Sequence, residues 1–326
     1  MSSVGIIANP ASGKDIRRLV AHGSTFDNNE KINIVRRVLL GLDAAGVDHV
    51  HYMPDSYAIV PRAAEPVQLG LRLTPLPMVA LGTPGDSLEA ARRLADLGVG
   101  CLVTLGGDGT NRVVAVGCGE TPLLAISTGT NNVFPSMVEG TLAGLAAGLV
   151  AAGIAGLAQA VRRAPWLEVW LDDQLRDHAL IDVVTTRQSY IGSRAIWDAS
   201  QIAEVVLSRV DPAAIGMCSL GGLLFPEDSG SDRGAHIVLG AGRRTVLAPL
   251  APGLIRPVPV AEARLLEPGD RVALRDPPCT IALDGERELE VPRAGRRLEV
   301  GLNPAGPRVV DIAAALHAGA LQAATR

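Results

Sequence analysis

One carboxylate set among glycines is the feature of this sequence that points most directly to chemistry. Asp108 lies in the string Gly106-Gly107-Asp108-Gly109-Thr110-Asn111. Glycine has no Cβ and permits positive φ, so the backbone N–H groups of such a turn can close around a phosphate. An acid in that position would repel bare phosphate, which predicts either a magnesium-linked contact or a base that accepts a hydroxyl proton. The alternative interpretation is a tight turn in which Asp108 caps the next helix.

Three strands must deliver such loops to one place. The apolar run 101–105 has the composition of a strand buried on both faces of a parallel sheet, and the glycine-rich turn follows it directly. The pattern recurs where Asn9-Pro10-Ala11-Ser12-Gly13-Lys14-Asp15 follows the run 4–8, and where Ser127-Thr128-Gly129-Thr130-Asn131-Asn132 follows the run 122–126. Loops after parallel strands emerge at the carboxyl edge of the sheet, where ligands bind.

These loops define the candidate nucleotide site. Asp108 is the candidate catalytic residue, and the polar side chains of the loops are able to bind phosphate, ribose or base. For Asn9 and Ser12 the alternative is that they only satisfy amides of their own turn. The predicted nucleotide-binding residues are Asn9, Ser12, Gly13, Gly106, Gly107, Gly109, Thr110, Asn111, Thr128, Gly129, Thr130 and Asn132. The first loop does not match GxxxxGK[ST], because Ala8 and Asp15 occupy the first and last positions.

The pattern of the chain changes near residue 164. Short apolar or alternating runs separated by turn residues predict an antiparallel β-sandwich from there on. We therefore predict an α/β parallel-sheet domain over 1–164, a β-sandwich domain over 165–308, and a C-terminal helix over 309–326 that packs on the first domain. One helix, over 198–210, is expected inside the sandwich. The expected strands are 166–171, 179–186, 236–240, 245–250, 271–274, 280–283 and 298–302.

Composition narrows the partners. The 326 residues suffice for two domains, and the net charge of −4 without basic runs predicts no nucleic-acid partner. The four cysteines show no metal-like spacing and predict buried, reduced thiols, and no metal ligand is assigned. The segment 140–161 is uncharged over 22 residues, but its Ala and Gly content favours a helix packed on the sheet over a membrane span. We expect a cytoplasmic homo-oligomer without stable membrane association that acts on a small-molecule substrate.

The Gly-Gly-Asp-Gly-Thr string after a buried strand resembles the signature of NAD kinases, diacylglycerol kinases and sphingosine kinases. With the loops at 9–15 and 127–132, the chain most resembles the ATP-NAD kinase superfamily and its AcoX-type branch, over roughly the first 135 residues. The resemblance implies an α/β nucleotide domain followed by a β-sandwich, with ATP and Mg²⁺ as phosphoryl donor. It places the transfer role on Asp108. Weaker similarity at 179–184 and 284–286 implies substrate-binding roles for Asp182, Asp284 and Glu286.

The substrate is where the chain departs from NAD kinases. Ile181 stands where an Asn usually precedes Asp182, and the Thr-Pro-Thr-Gly-Ser-Thr-Ala-Tyr loop that holds NAD has no counterpart; the nearest region is 216–226. For Asp284, a hairpin turn is the alternative interpretation. The first hypothesis is a magnesium-dependent, NAD kinase-like ATP phosphotransferase that acts on a hydroxyl group of a small molecule. NAD is the first candidate substrate, and NADP would be its product. The alternatives are a lipid or polyol kinase, or a nucleotide-binding regulator without transfer activity.

Overall fold

The computed structural model describes residues 1–13, 26–186, 201–275, 279–285, 287–291 and 294–323. Within these ranges the chain forms two compact units. The first contains the described residues up to Arg163 together with those from Pro307 onward, and the second runs from Ala164 to Gly306. The C-terminal segment thus belongs to the same unit as the N-terminal one.

The first unit is built on a seven-stranded sheet in the order β3-β2-β1-β4-β5-β17-β6. All neighbouring pairs are parallel except β17 with β6, which is antiparallel. Its strands are β1 (Ser3–Ala8), β2 (His49–Tyr52), β3 (Arg72–Pro75), β4 (Cys101–Gly106), β5 (Leu123–Ser127), β6 (Val161–Arg163) and β17 (Arg308–Val310). The two central strands β1 and β4 are almost entirely buried, as their apolar sequences predicted.

Helices of the first unit alternate with these strands. They are α1 (Asn28–Ala44), α2 (Ile59–Ala64), α3 (Pro84–Asp96), α4 (Asp108–Gly117), α5 (Gly140–Ala151), α6 (Leu157–Ala160) and α8 (Ile312–Ala323). The predicted parallel-sheet α/β fold is confirmed. The segment 140–161 forms α5 and α6 rather than one helix, and none of the helices in the described ranges has the length and apolar character of a membrane span.

The second unit contains two antiparallel sheets, in the orders β12-β11-β10-β9-β14-β15 and β13-β16-β7-β8. One apolar core takes residues from both sheets, including Val169 and Val300 of the smaller sheet and Val183 and Ile281 of the larger. The predicted antiparallel sandwich is therefore confirmed. Its elements are β7 (Trp166–Leu171), β8 (Gln174–Ala179), β9 (Asp182–Thr186), β10 (Ile202–Leu207), α7 (Met217–Leu224), β11 (Gly234–Ala251), β12 (Leu254–Leu266), β13 (Arg271–Ala273), β14 (Cys279–Leu283), β15 (Arg287–Val291) and β16 (Leu298–Asn303).

Two local predictions in this unit are wrong. Residues expected to continue a helix over 198–210 form β10, which pairs with β9 on one side and β11 on the other. The β-branched Val205 and Val206 suit this central position, and pairing on both sides outweighs the helix-like spacing of the apolar residues. The two expected strands 236–240 and 245–250 are parts of one long strand, β11, with register irregularities between them.

The four cysteines are buried and unpaired, which confirms the prediction of reduced thiols. Burial raises the pKa of the Cys101 thiol to about 12 and that of Cys118 to about 11. Thiols of this kind are weak nucleophiles near neutral pH, because the reactive thiolate is scarce.

Close helix contact in the first unit depends on glycine. A Cβ on Gly144 of α5 would lie 2.1 Å from the Val38 carbonyl oxygen of α1, and one on Gly41 of α1 would lie 2.5 Å from the Thr141 carbonyl oxygen. Both obstacles are backbone atoms, so no side-chain movement relieves the overlap. The two helices therefore pack through their main chains.

We predict that Gly144→Ala destabilises the protein by about 1–3 kcal/mol or more, because it forces α1 and α5 apart. Differential scanning calorimetry should record a lower thermal midpoint. The control is Gly156→Ala, whose Cβ would have its nearest neighbour, Gln159 Oε1, at 3.8 Å. Equal midpoints for the two variants would contradict the packing described here.

Candidate functional site

The candidate site lies where the strand order of the parallel sheet reverses. From β1 the chain builds β2 and β3 on one side, then returns to build β4 and β5 on the other. Strands β1 and β4 are neighbours, but the chain leaves them in opposite directions along the sheet. A crevice at the carboxyl ends of two such strands is the usual ligand site of α/β sheets. The third loop follows β5, which is the strand next to β4.

The first two loops are joined through Asn9. Its backbone N–H donates to the Leu105 carbonyl at 3.1 Å, and its side-chain Nδ2 donates to Thr110 Oγ1 at 2.9 Å. Asn9 Oδ1 in turn accepts from the Ala11 N–H at 2.9 Å, which closes an Asx turn in its own loop. Asn9 thus does what the turn interpretation requires and also bridges to the glycine-rich loop.

The third loop is joined to both of the others. Thr128 Oγ1 donates to Ser12 Oγ at 3.1 Å, which connects the loops after β1 and β5. Asp108 begins α4, and its carboxylate accepts from the Val133 N–H at 3.1 Å and from the Phe134 N–H at 2.8 Å. The three predicted loops therefore form one hydrogen-bonded unit, with Asp108 only 9% exposed at its centre.

Glycines permit the close approach of these loops. A Cβ on Gly106 would lie 2.6 Å from Thr110 Cβ, and one on Gly107 would lie 3.0 Å from Asn132 Oδ1. Gly13 has φ +82°, a conformation that favours glycine. Gly109 is buried in the first turn of α4. A larger residue at 106 would have to displace Thr110 of the same loop, and one at 107 would have to displace Asn132 of the third loop.

Several predicted nucleotide-binding side chains bond within the protein. Asn111 is fully buried; its Oδ1 accepts from Thr104 Oγ1 at 2.6 Å, and its Nδ2 donates to the Gly107 carbonyl at 2.9 Å. Asn132 Nδ2 donates to Ser127 Oγ at 2.8 Å, and Ser127 Oγ donates to the Gly129 carbonyl at 2.7 Å. These groups shape the loops, and Thr130 lies beside them, partly exposed.

Two residues that the sequence reasoning did not single out belong to this region. Asn131 Oδ1 is buried and accepts no hydrogen bond in the part of the chain that the structure describes. Lys31 of α1 is completely buried, and its ammonium contacts the first loop. Asn131 could have been predicted from the sequence, because it lies within the third loop. Lys31 could not, because it lies in an amphipathic helix with no motif around it.

In the second unit, Asp284 is used by the main chain. Its carboxylate accepts from the N–H groups of Leu180, Ile181 and Asp182 at 3.0, 2.8 and 3.3 Å. Asp284 has φ +50° and follows β14 in the hairpin to β15, as the turn interpretation predicts. Asp182 begins β9 beside it, and Glu286 lies outside the described residues.

The NAD-holding loop has no counterpart in the sequence, and the region nearest to it, 216–226, is largely helical. Residues Met217–Leu224 form α7, whose Gly222 packs so closely that a Cβ would lie 2.1 Å from the Asp211 carbonyl carbon. Ile181, which stands where NAD kinases usually have Asn, is only 2% exposed.

Two family models match consecutive parts of the chain. The ATP-NAD kinase N-terminal domain matches residues 4–154, and the acetoin catabolism protein X C-terminal domain matches residues 165–305. The first unit thus matches the N-terminal domain of a kinase family. Over 333 aligned residues the chain is 40% identical to acetoin catabolism protein X of Cupriavidus necator, with 97% of this chain and 92% of that protein covered. The chain belongs to the acetoin catabolism protein X family within the ATP-NAD kinase superfamily.

Two solved structures to which the chain is similar are described as diacylglycerol kinases. One from Bacillus anthracis str. Sterne has a TM-score of 0.49 and 13% identity, and covers 95% of this chain and 96% of its own. A putative diacylglycerol kinase from the same organism has a TM-score of 0.46 and 14% identity with the same coverage.

We predict that Asp284→Ala destabilises the second unit, because it leaves buried amide donors without acceptors at about 1–3 kcal/mol for each. Thermal unfolding monitored by circular dichroism measures the loss. The matched control is Asp232→Ala, which removes an exposed carboxylate of the same unit. If both variants unfold at the wild-type temperature, Asp284 does not anchor the start of β9.

Proposed function

We propose that this protein is a magnesium-dependent ATP phosphotransferase that phosphorylates a hydroxyl group of a small molecule. The observation that carries the proposal is the position of Asp108: a carboxylate at the N-terminus of α4, where three polar loops are hydrogen-bonded to one another at the carboxyl edge of a parallel sheet. Phosphoryl transfer needs a phosphate cradle, a positioned acceptor and a group that accepts its proton.

The residues present fit a nucleoside triphosphate with its metal ion. Gly106 and Gly107 allow Thr110 and Asn132 to pack closely against the backbone of the second loop, and the N-terminus of α4 contributes positive potential for phosphate. Asn131 supplies a buried oxygen that accepts no hydrogen bond from the described part of the chain, and hard oxygen atoms are what Mg²⁺ prefers. When bound, the ion would neutralise charge that develops on the phosphate oxygens.

In this proposal Asp108 accepts the proton of the acceptor hydroxyl, or binds through the metal ion, and Asn9, Ser12 and Thr128 hold the loops in register. Gly13, Gly109, Gly129, Thr130 and Asn132 complete the cradle. Substrate-binding roles for Asp182, Asp284 and Glu286 remain part of the proposal. For Asp284 such a role would act through the backbone of 180–182, because its carboxylate already binds those amides.

The acceptor is best approached as a class. The departures at Ile181 and 217–224 weaken the argument for NAD, and NADP as product stands or falls with it. A membrane lipid is disfavoured as the acceptor because the net charge of the chain is −4. Acetoin, a hydroxyketone, joins the panel because the 40% identical relative is named for acetoin catabolism. We further expect a cytoplasmic homo-oligomer, which size-exclusion chromatography with light scattering and cell fractionation would test.

A second function is favoured by the same carboxylate. Because Asp108 holds the third loop through two amides, it has an architectural role even without transfer chemistry. A nucleotide-binding regulator that has lost transfer would need only this role. Release of ADP from Mg-ATP, measured across NAD, NADH, diacylglycerol, polyols and acetoin, separates the candidates: only a kinase shows acceptor-dependent release.

We predict that Asp108→Asn lowers turnover by orders of magnitude while ATP affinity changes only a few-fold. The Asn Oδ1 retains an acceptor for the Phe134 N–H, whereas the charge and the proton acceptor are lost. Steady-state kinetics and calorimetric ATP titration measure the two effects.

Asp108→Ala is the comparison variant, because it also releases the third loop and should weaken ATP binding. Unchanged turnover in Asp108→Asn would remove Asp108 from the chemistry. Loss of ATP binding in Asp108→Asn, equal to that in Asp108→Ala, would favour the architectural role alone.

A further inference from the structure

Lys31 is the most deeply buried cation in the described part of the chain, and its ammonium group contacts several main-chain oxygens. Its Nζ donates to the carbonyls of Asn9, Pro10 and Ser12 at 2.9, 3.2 and 2.6 Å, and to Asn28 Oδ1 at 3.2 Å. The side chain is 0% exposed. All three carbonyls belong to the first loop, which follows β1.

The position is unfavourable for a cation unless these oxygens compensate it. Lys31 lies near the N-terminus of α1, where the helix dipole is positive and repels an ammonium group. Burial adds a desolvation penalty that only good hydrogen bonds offset. The location is therefore costly in itself, and the oxygens of the loop provide compensation together with the charge of Asp55, which interacts favourably with the Lys31 ammonium.

The chain uses lysine sparingly, and the choice fits this geometry. Lys14 and Lys31 are its only lysines, and every other basic residue apart from histidine is arginine. An ammonium group is compact and has three donors that can point in different directions, whereas a guanidinium is a flat fork. Three converging carbonyls suit the ammonium group, so arginine would not fit here.

The contacts fix the direction of a peptide group. In a planar trans peptide the C=O and N–H point in opposite directions. Because the Ser12 carbonyl points at Lys31, the Gly13 N–H points away from it, and the φ of +82° at Gly13 continues the turn. The Ser12 hydroxyl donates to the Asn9 carbonyl at 2.8 Å, so the same cation also orders Ser12 through a shared oxygen.

From this geometry we infer that Lys31 is a positioning residue for triphosphate binding: its buried ammonium holds the loop 9–13 so that the Gly13 N–H is turned toward the phosphates. The inference rests on the proposed function. It differs from the lysine of a GxxxxGK[ST] loop, which contacts phosphate directly. Here the cation acts from behind the loop, through the peptide groups.

The test uses Lys31→Met, which removes the charge at similar length, and Lys31→Arg, which keeps the charge but not the shape. Arg37→Met on the same helix is the control, because Arg37 is partly exposed and bonds to Glu30 and Glu139. Hydrogen–deuterium exchange of peptides covering 9–13 is measured without nucleotide. Affinity for a fluorescent ATP analogue with Mg²⁺, the KM for ATP, kcat and the thermal midpoint are then measured.

The expected result for both Lys31 variants is faster exchange confined to 9–13, at least a ten-fold loss of nucleotide affinity with a matching rise in KM, and kcat within about three-fold of wild type. Arg37→Met should match wild type. Wild-type affinity in Lys31→Met, or unchanged exchange at 9–13, overturns the inference. Lys31→Gln, which keeps donors without charge, replaces Lys31→Met if that variant does not fold; unfolding of both also overturns it.

The outcome separates this inference from the proposed function. A wild-type protein that binds no ATP, with exchange at 9–13 still faster in Lys31→Met, would refute the kinase proposal and confine Lys31 to architecture. A wild-type protein that binds and turns over ATP, with Lys31→Met unchanged in affinity, would refute the inference and leave the kinase proposal standing.

Discussion

Single buried charges that each bind several peptide groups hold the loops of this protein in place. Asp108 accepts from the amides of Val133 and Phe134, and Asp284 accepts from three amides at the start of β9. Asp86 Oδ2 likewise accepts from the N–H groups of 81–83 at 2.6–3.1 Å. Lys31 is the counterpart with reversed sign, because it binds three carbonyls. Each contact is charge-assisted and is stronger than a neutral hydrogen bond.

Binding of several peptide groups by one buried charge explains how polar loops stay ordered at the edge of the sheet without a hydrophobic core of their own. A loop presents unpaired N–H and C=O groups, which are costly when buried. One carboxylate or ammonium satisfies several of them and fixes the direction of the remaining ones. Peptide N–H groups that are turned away from a buried cation are available as donors, which is the basis of the phosphate binding proposed above. Architecture and candidate chemistry therefore use the same residues, and Asp108 belongs to both.

The sequence correctly predicted the elements that are determined by local residue patterns. Apolar runs ending in glycine loops predicted β1, β4, β5 and their convergence, since parallel strands present their carboxyl ends at one edge. The wrong or missing predictions concern elements whose structure depends on residues distant in the sequence. Residues 202–207 have helix-like apolar spacing but lie between two strands. The three-residue strand β17 completes the first sheet from the far end of the chain and has no periodicity to reveal it. Lys31 escaped notice because a lysine in an amphipathic helix usually faces solvent.

The central claim is that the three loops form a single phosphate site. It is tested most directly by amide NMR of ¹⁵N-labelled protein titrated with a non-hydrolysable ATP analogue and Mg²⁺. The account predicts that Gly13, Gly107, Gly109 and Gly129, which belong to three separate loops, shift together with one dissociation constant. Shifts limited to one loop, or the absence of any shift at saturating nucleotide, would contradict it.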